Sequence, residues 1–211
     1  TMEIRKSNLD NEQKIIKTLF KEFNTPYNSR SISKQIGIPH AGAFKILKRV
    51  ENEEIVKAQT IGKSIIYSLN FDNPITSKKV EMALLLEAQN YKLWLHEVKE
   101  LDKLAEFVIL FGSILKEEKK ARDIDILVVL DDVRVHFTKE LVHTYRIIVE
   151  KCIAKAEPKR WHVQSMKLTA FWEYVRAGDP VAINMPRSGV ALIDTNIFVV
   201  FHFELHILLP Y

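Results

Sequence analysis

The sequence predicts an α/β (α+β) chain: a small helical module closed by a hairpin, then a long connector helix, then a mixed sheet layered with helices. Three observations predict it. Apolar residues recur at helical spacing in three short segments before Asn52 and again over a long one after Pro74. Two later runs, Phe107 to Phe111 and Asp123 to Leu130, are strand-like. The strands are then interspersed with helical patterns, as in a layered α/β fold. The expected boundaries are 1–74 for the first module, 75–104 for the connector and 105–211 for the sheet domain.

In the first module, Ile15, Ile16, Leu19, Phe20 and Phe23 form one stripe of a helix from Asn11 to Phe23, ended by Asn24-Thr25-Pro26. A second, short helix is expected from Ser31, whose hydroxyl can cap its first amides, through Ile32 and Ile36 to Gly37. Pro39 opens a third, which buries Phe44, Leu47 and Val50 and turns Ala41, Lys45, Lys48, Arg49 and Asn52 outward. Ile55 to Gln59 and Ser64 to Leu69 then read as a hairpin with Gly62-Lys63 between them.

The connector pattern runs from about Thr76 to Ala105, with Val80, Leu84, Tyr91, Trp94, Val98 and Leu101 near a heptad stripe. Leu85, Leu86, Leu93 and Leu95 widen that stripe, so the helix needs cover from the second domain or from another copy of itself. Farther on, Phe137 to Ala156 reads as a helix, Arg160 to Met166 as a strand, and Leu168 to Ala177 as a helix stopped by Gly178-Asp179-Pro180.

The chemistry concentrates in Phe107 to Asp125. A continuously apolar run ending at Gly112-Ser113 reads as a buried strand followed by a turn that bares backbone N–H groups. If that turn opens a helix, its amides and the Ser113 hydroxyl favour an anion such as a triphosphate. Asp123 and Asp125, at i and i+2 of a strand, share one face. Two converging carboxylates suit a hard divalent cation, Mg²⁺ or Mn²⁺, and metal-assisted phosphoryl chemistry.

Gly112-Ser113 followed by Asp123-Ile124-Asp125 resembles the signature of the polymerase-beta-type nucleotidyltransferase superfamily, and in particular its minimal nucleotidyltransferases, over about the C-terminal half of the chain. The resemblance implies a nucleotidyltransferase fold in which Gly112 and Ser113 contact the phosphates of a nucleoside triphosphate and Asp123 and Asp125 bind the catalytic Mg²⁺ or Mn²⁺. Lys116, Lys119, Lys120 or Arg122 would neutralise charge in the transition state. The pattern departs from that family in three places. Lys116-Glu117 stands where a further glycine is common, and Arg122 where a small hydroxyl residue precedes the first aspartate. The strand expected to supply a third carboxylate reads Arg-Trp-His-Val-Gln-Ser-Met, leaving His162, Gln164 or the earlier Glu157 as substitutes.

Asp10 to Asn70 resembles the winged helix-turn-helix domains of archaeal and bacterial transcription regulators. By that resemblance the helix from Pro39 to Asn52 enters the major groove of DNA and the wing touches phosphates, which nominates Lys45, Lys48, Arg49 and Lys63 as DNA-binding residues. Charge agrees: basic residues outnumber acidic ones twelve to eight through Ile75 and are matched nineteen to nineteen thereafter, so the net +4 lies in the first third.

Other features bound the remaining possibilities. A single cysteine, Cys152, excludes an intramolecular disulfide and suits a reducing, cytoplasmic setting. The polar Thr1 to Asp10 lacks the apolar core of a secretory signal, and Ile197 to Leu209 is too short to cross a bilayer, so no membrane partner is expected. His202 and His206, at i and i+4, could share a metal on a helix but show no third ligand.

Two functions follow as expectations. In the first, a DNA-binding protein binds a nucleoside triphosphate with Mg²⁺ and transfers a nucleotidyl group to an acceptor; relatives by resemblance include antitoxins that place AMP on a toxin tyrosine, so a protein acceptor or helical toxin is one partner class. In the second, a transcriptional regulator uses a catalytically weakened nucleotidyltransferase fold as a nucleotide sensor or dimerisation body. A homodimer through the connector helix fits either.

Overall fold

The computed structural model describes residues 9–116, 120–130, 143, 145–147, 149–150 and 160–193, and the chain divides into two compact units between Glu87 and Ala88.

In the first unit α1 (Asn11–Lys21) begins at Asp10, whose carboxylate accepts the Gln13 amide at 2.8 Å while Gln13 Oε1 accepts the Asp10 amide at 2.9 Å. This reciprocal cap satisfies two donors that the helix leaves open. For α2 (Ser29–Ile36) the cap is Asn28, one turn earlier than expected. Its Oδ1 accepts the Arg30 and Ser31 amides, and Ser31 Oγ accepts the Asn28 amide in return. Asn competes as well as Ser for this role, and the two alternatives differ only in register.

The stripe that α3 (His40–Asn52) buries is Ala43, Leu47 and Val50. Phe44, expected inside, is 44% exposed. Ala43 occupies the inward position instead, and one residue of offset is about 100° around a helix. Antiparallel β1 (Val56–Ile61) and β2 (Ser64–Leu69) form the hairpin around Gly62-Lys63, and the Tyr67 amide donates to Tyr27 O at 2.9 Å, tying it to the loop before α2.

The expected connector is broken. α4 (Pro74–Ala88) gives way to a 3₁₀ turn at Gln89–Tyr91, then α5 (Lys92–Val98) and a second 3₁₀ turn at Lys99–Lys103. Tyr91, at φ −112° and ψ 38°, has left helical geometry. Apolar periodicity cannot register such a break, because a heptad stripe resumes after it with Trp94, Val98 and Leu101 buried. Within the first unit α4 is fastened to α1 by Glu87, which takes Lys17 Nζ at 2.9 Å and Lys21 Nζ at 2.6 Å. Burial works against each charge. For Glu87 the lysines outweigh it and hold the carboxyl below its ordinary range, whereas for Lys21 burial outweighs Glu87 and lowers the ammonium pKa.

The second unit is built on a mixed sheet of order β5-β4-β3-β6, with β3 (Ala105–Phe111), β4 (Asp123–Leu130), β5 (Arg160–Lys167) and β6 (Val190–Ile193). β4 and β5 are parallel; β3 is antiparallel to β4 and β6. Val108, Leu110, Ile124, Ile126 and Val128 face one way and pack with Trp94 and Val98 of α5. Phe107 points to the opposite face and meets Phe171 of α6 (Leu168–Arg176) edge-on at 5.4 Å. Covering both faces accounts for the continuously apolar strand sequences. Gly178-Asp179-Pro180 ends α6 as expected and also starts α7 (Pro180–Ser188), with Asp179 Oδ1 accepting the Val181 and Ala182 amides.

Of the helix expected over 137–156, positions 143, 145–147 and 149–150 are described and are helical. Lys119, Cys152, Glu157, His202 and His206 lie outside the described residues. Among the described residues no helix is long and apolar enough to cross a membrane.

Candidate functional site

β3 delivers the chain to Gly112 beside β4, because Phe111 pairs with Asp125. Gly112 sits at φ +83°, and a Cβ there would lie 2.3 Å from Asp125 Oδ2. The positive φ favours glycine, and any side chain there would displace the Asp125 carboxylate. The turn that follows is a single 3₁₀ turn, Gly112–Leu115. It offers a few amides and the exposed Ser113 hydroxyl, without a long helix dipole behind them. Buried Ile114 anchors the turn, and the Lys116 amide donates to Ser113 O at 3.1 Å, leaving an exposed lysine next to it.

Asp123 and Asp125 point away from the face that buries Ile124 and Ile126, and their side chains are 39% and 25% exposed. In the parallel register of β5 the residue opposite Asp125 is His162. Its Nδ1 lies 3.3 Å from Asp125 Oδ1 and its Nε2 3.9 Å from Asp123 Oδ1. The position expected for a third acid is thus an imidazole that reaches both aspartates. Gln164 lies farther along β5, opposite Leu127.

Two hard oxygen donors on one face suit Mg²⁺ or Mn²⁺ bound by one or two carboxylates, with the remaining positions left to water and nucleotide phosphates. Among the described residues no group of three or more His, Cys, Asp or Glu side chains is arranged to hold a metal by itself. Arg122 O accepts the Arg160 amide at 3.2 Å and extends the β4–β5 pairing to the entrance of the site.

Residues 92–178 match the family described as the nucleotidyltransferase domain. This segment is a nucleotidyltransferase domain. The nucleotidyltransferase match covers the Gly112 turn, both aspartates and His162. It begins at Lys92, the first residue of α5, so that helix belongs to the family's pattern.

Solved structures similar to the chain include MepR, a transcription regulator of the Staphylococcus aureus multidrug efflux pump MepA, at 11% identity and TM-score 0.34 over 54% of this chain and 73% of that one. A single-substitution mutant of Lactococcus lactis ZitR gives 14% and 0.34 over 56% and 73%. The winged-helix architecture is given by the order and packing of α1, α2, α3 and the hairpin. No curated protein matches the sequence.

The second surface of interest is α3. Lys45 and Lys63 are exposed, and Lys48 reaches Glu51 at 2.9 Å. Arg49 is engaged differently, bound by Glu12 of α1 and 3.9 Å from Glu53, while Lys79 of α4 joins the same acids at 2.6 and 3.3 Å. The four side chains close a ring that fastens α1, α3 and α4 together. Burial opposes the Lys79 charge, but Glu12 and Glu53 outweigh it and raise its pKa.

Proposed function

We propose that the chain is a DNA-binding protein whose nucleotidyltransferase domain binds a nucleoside triphosphate with Mg²⁺ or Mn²⁺ and transfers a nucleotidyl group to an acceptor hydroxyl. The observation that carries it is the meeting of Gly112 with Asp125, which places the phosphate turn against the carboxylate face. Asp123 and Asp125 hold the cation, which supplies Lewis-acid stabilisation of the phosphoryl oxygens. Ser113 and the turn amides seat the triphosphate, and Lys116 offsets its charge. The acceptor oxygen bonds to the α-phosphorus as the bond to the bridging oxygen breaks; pyrophosphate leaves with that electron pair, and the hydroxyl proton passes to solvent. A protein hydroxyl, including that of a toxin tyrosine, is one acceptor class for this reaction.

His162 favours a second reading, in which the domain binds nucleotide as a sensor within a transcriptional regulator. An imidazole between the aspartates provides one nitrogen donor where a carboxylate would add negative charge, so the cation is held less firmly. Incubation with α-phosphate-labelled nucleotides, Mg²⁺ or Mn²⁺ and a panel of acceptors separates the two. Labelled product that disappears in Asp123→Ala and Asp125→Ala supports transfer; nucleotide binding without product supports the sensor. Product formation that persists in both variants contradicts the proposed site.

DNA binding through Lys45, Lys48 and Lys63 is supported by the winged-helix arrangement and by the basic excess of the first third. Ile75, Met82 and Leu85 are exposed along one side of α4 and support a homodimer, which a monomeric mass in light scattering would exclude. A cytoplasmic setting fits the single cysteine.

A further inference from the structure

The outward side of α3 sets apolar residues among basic ones. His40, Ala41, Phe44, Lys45 and Lys48 follow one another at helical spacing, and all but half-buried Lys48 are exposed. Phe44 has no place in the core, which Ala43, Leu47 and Val50 fill. His40 is held by Ser29 of α2, with Nε2 3.0 Å from the Ser29 hydroxyl, and its ring lies 6.4 Å from that of Phe44. Together they make a fixed aromatic ledge.

Gly42 is a second, independent sign. Glycine is a poorer helix former than alanine, and nothing lies within 4 Å of where its Cβ would be. Internal packing therefore does not require it. A bare backbone beside Ala41 on the exposed side instead permits close approach of an outside surface.

The groups that read guanine in the major groove are long donors, above all arginine in a bidentate grip. The single arginine of α3, Arg49, is committed to Glu12 and Glu53. Beside its lysines, the α3 face offers base edges the apolar Ala41 and Phe44, and the apolar feature of the major groove is the thymine methyl group. Exposed Lys45 on this face and Lys63 in the hairpin turn supply the charge that a phosphate backbone requires.

Resting on the DNA-binding reading above, we infer that α3 recognises DNA by seating a thymine methyl group against Phe44 and Ala41. The site it selects is specified by thymine contacts, with no guanine clamp from Arg49.

The test uses the full chain and a pool of random duplexes. The enriched site is synthesised with thymine and again with deoxyuridine, which lacks only the methyl group, at each thymine in turn. At one thymine or more, the exchange should weaken binding about fourfold, the worth of one buried methyl group. Phe44→Ala should bind both forms equally, and because Phe44 is exposed the fold is retained. Equal affinity of the parent protein for both forms overturns the inference while leaving DNA binding intact, as does discrimination that survives in Phe44→Ala. No enrichment and no duplex binding at low salt overturns the inference together with the DNA-binding reading.

Discussion

Gly112 carries two demands at once, a positive φ and room for Asp125 Oδ2. Gly112→Ala is therefore expected to cost about 1–2 kcal/mol from backbone strain alone, seen in chemical denaturation, and to abolish nucleotide binding by displacing the carboxylate. His162 offers the converse change. His162→Asp places a third carboxylate opposite Asp125, and titration calorimetry should show divalent-cation affinity raised about tenfold; unchanged affinity would separate His162 from the cation site. The glycine and the two aspartates were legible in the sequence because a turn and a two-residue period leave a local pattern. The contact of His162 with both aspartates was not, since it depends on the parallel register of β4 and β5, strands that lie far apart along the chain. Phe44 is exposed where periodicity predicts it inside for a related reason: alanine serves equally inside or outside, and Ala43 takes the inward position one residue earlier.

Among the elements, α1 and α4 show which local features hold the first unit. Asp10→Ala removes both halves of the α1 cap and should lower stability by about 1 kcal/mol. Glu87→Gln leaves Lys17 and Lys21 without their shared acid and should cost about 3 kcal/mol. Because the folded state lowers the Glu87 pKa, its contribution is complete above the ordinary carboxylate value of 4.5 and is lost as pH falls through the depressed value. Denaturation curves of the parent between neutral pH and pH ~3 should show that acid loss, and those of Glu87→Gln should lack this part of it. The elements themselves were largely readable: three helices, the hairpin and the strands β3, β4 and β5 lie where periodicity put them. The break at Tyr91 leaves the apolar pattern uninterrupted, and Gly178-Asp179-Pro180 reads as a stop although the same Asp179 and Pro180 also cap and open α7.

At the scale of the whole molecule, the chain joins a winged helix with a basic excess to a nucleotidyltransferase domain. Phosphate contacts release counterions, so DNA affinity should fall linearly with salt on logarithmic axes. Replacing Lys45, Lys48 or Lys63 by alanine should each reduce that slope by about 1. Arg49→Ala should leave the slope unchanged and lower stability, because its ring with Glu12, Lys79 and Glu53 is internal to the first unit. Narrower than either activity is the proposal that Asp123 and Asp125 hold a metal–nucleotide complex against the Gly112 turn. Its most direct measurement is the thermal shift of the full chain with a nucleoside triphosphate and Mg²⁺ or Mn²⁺, for the parent and for Asp123→Asn and Asp125→Asn. A cation-dependent rise in melting temperature for the parent that vanishes in both variants is the predicted result; the same rise in all three proteins, or none in the parent, would contradict it.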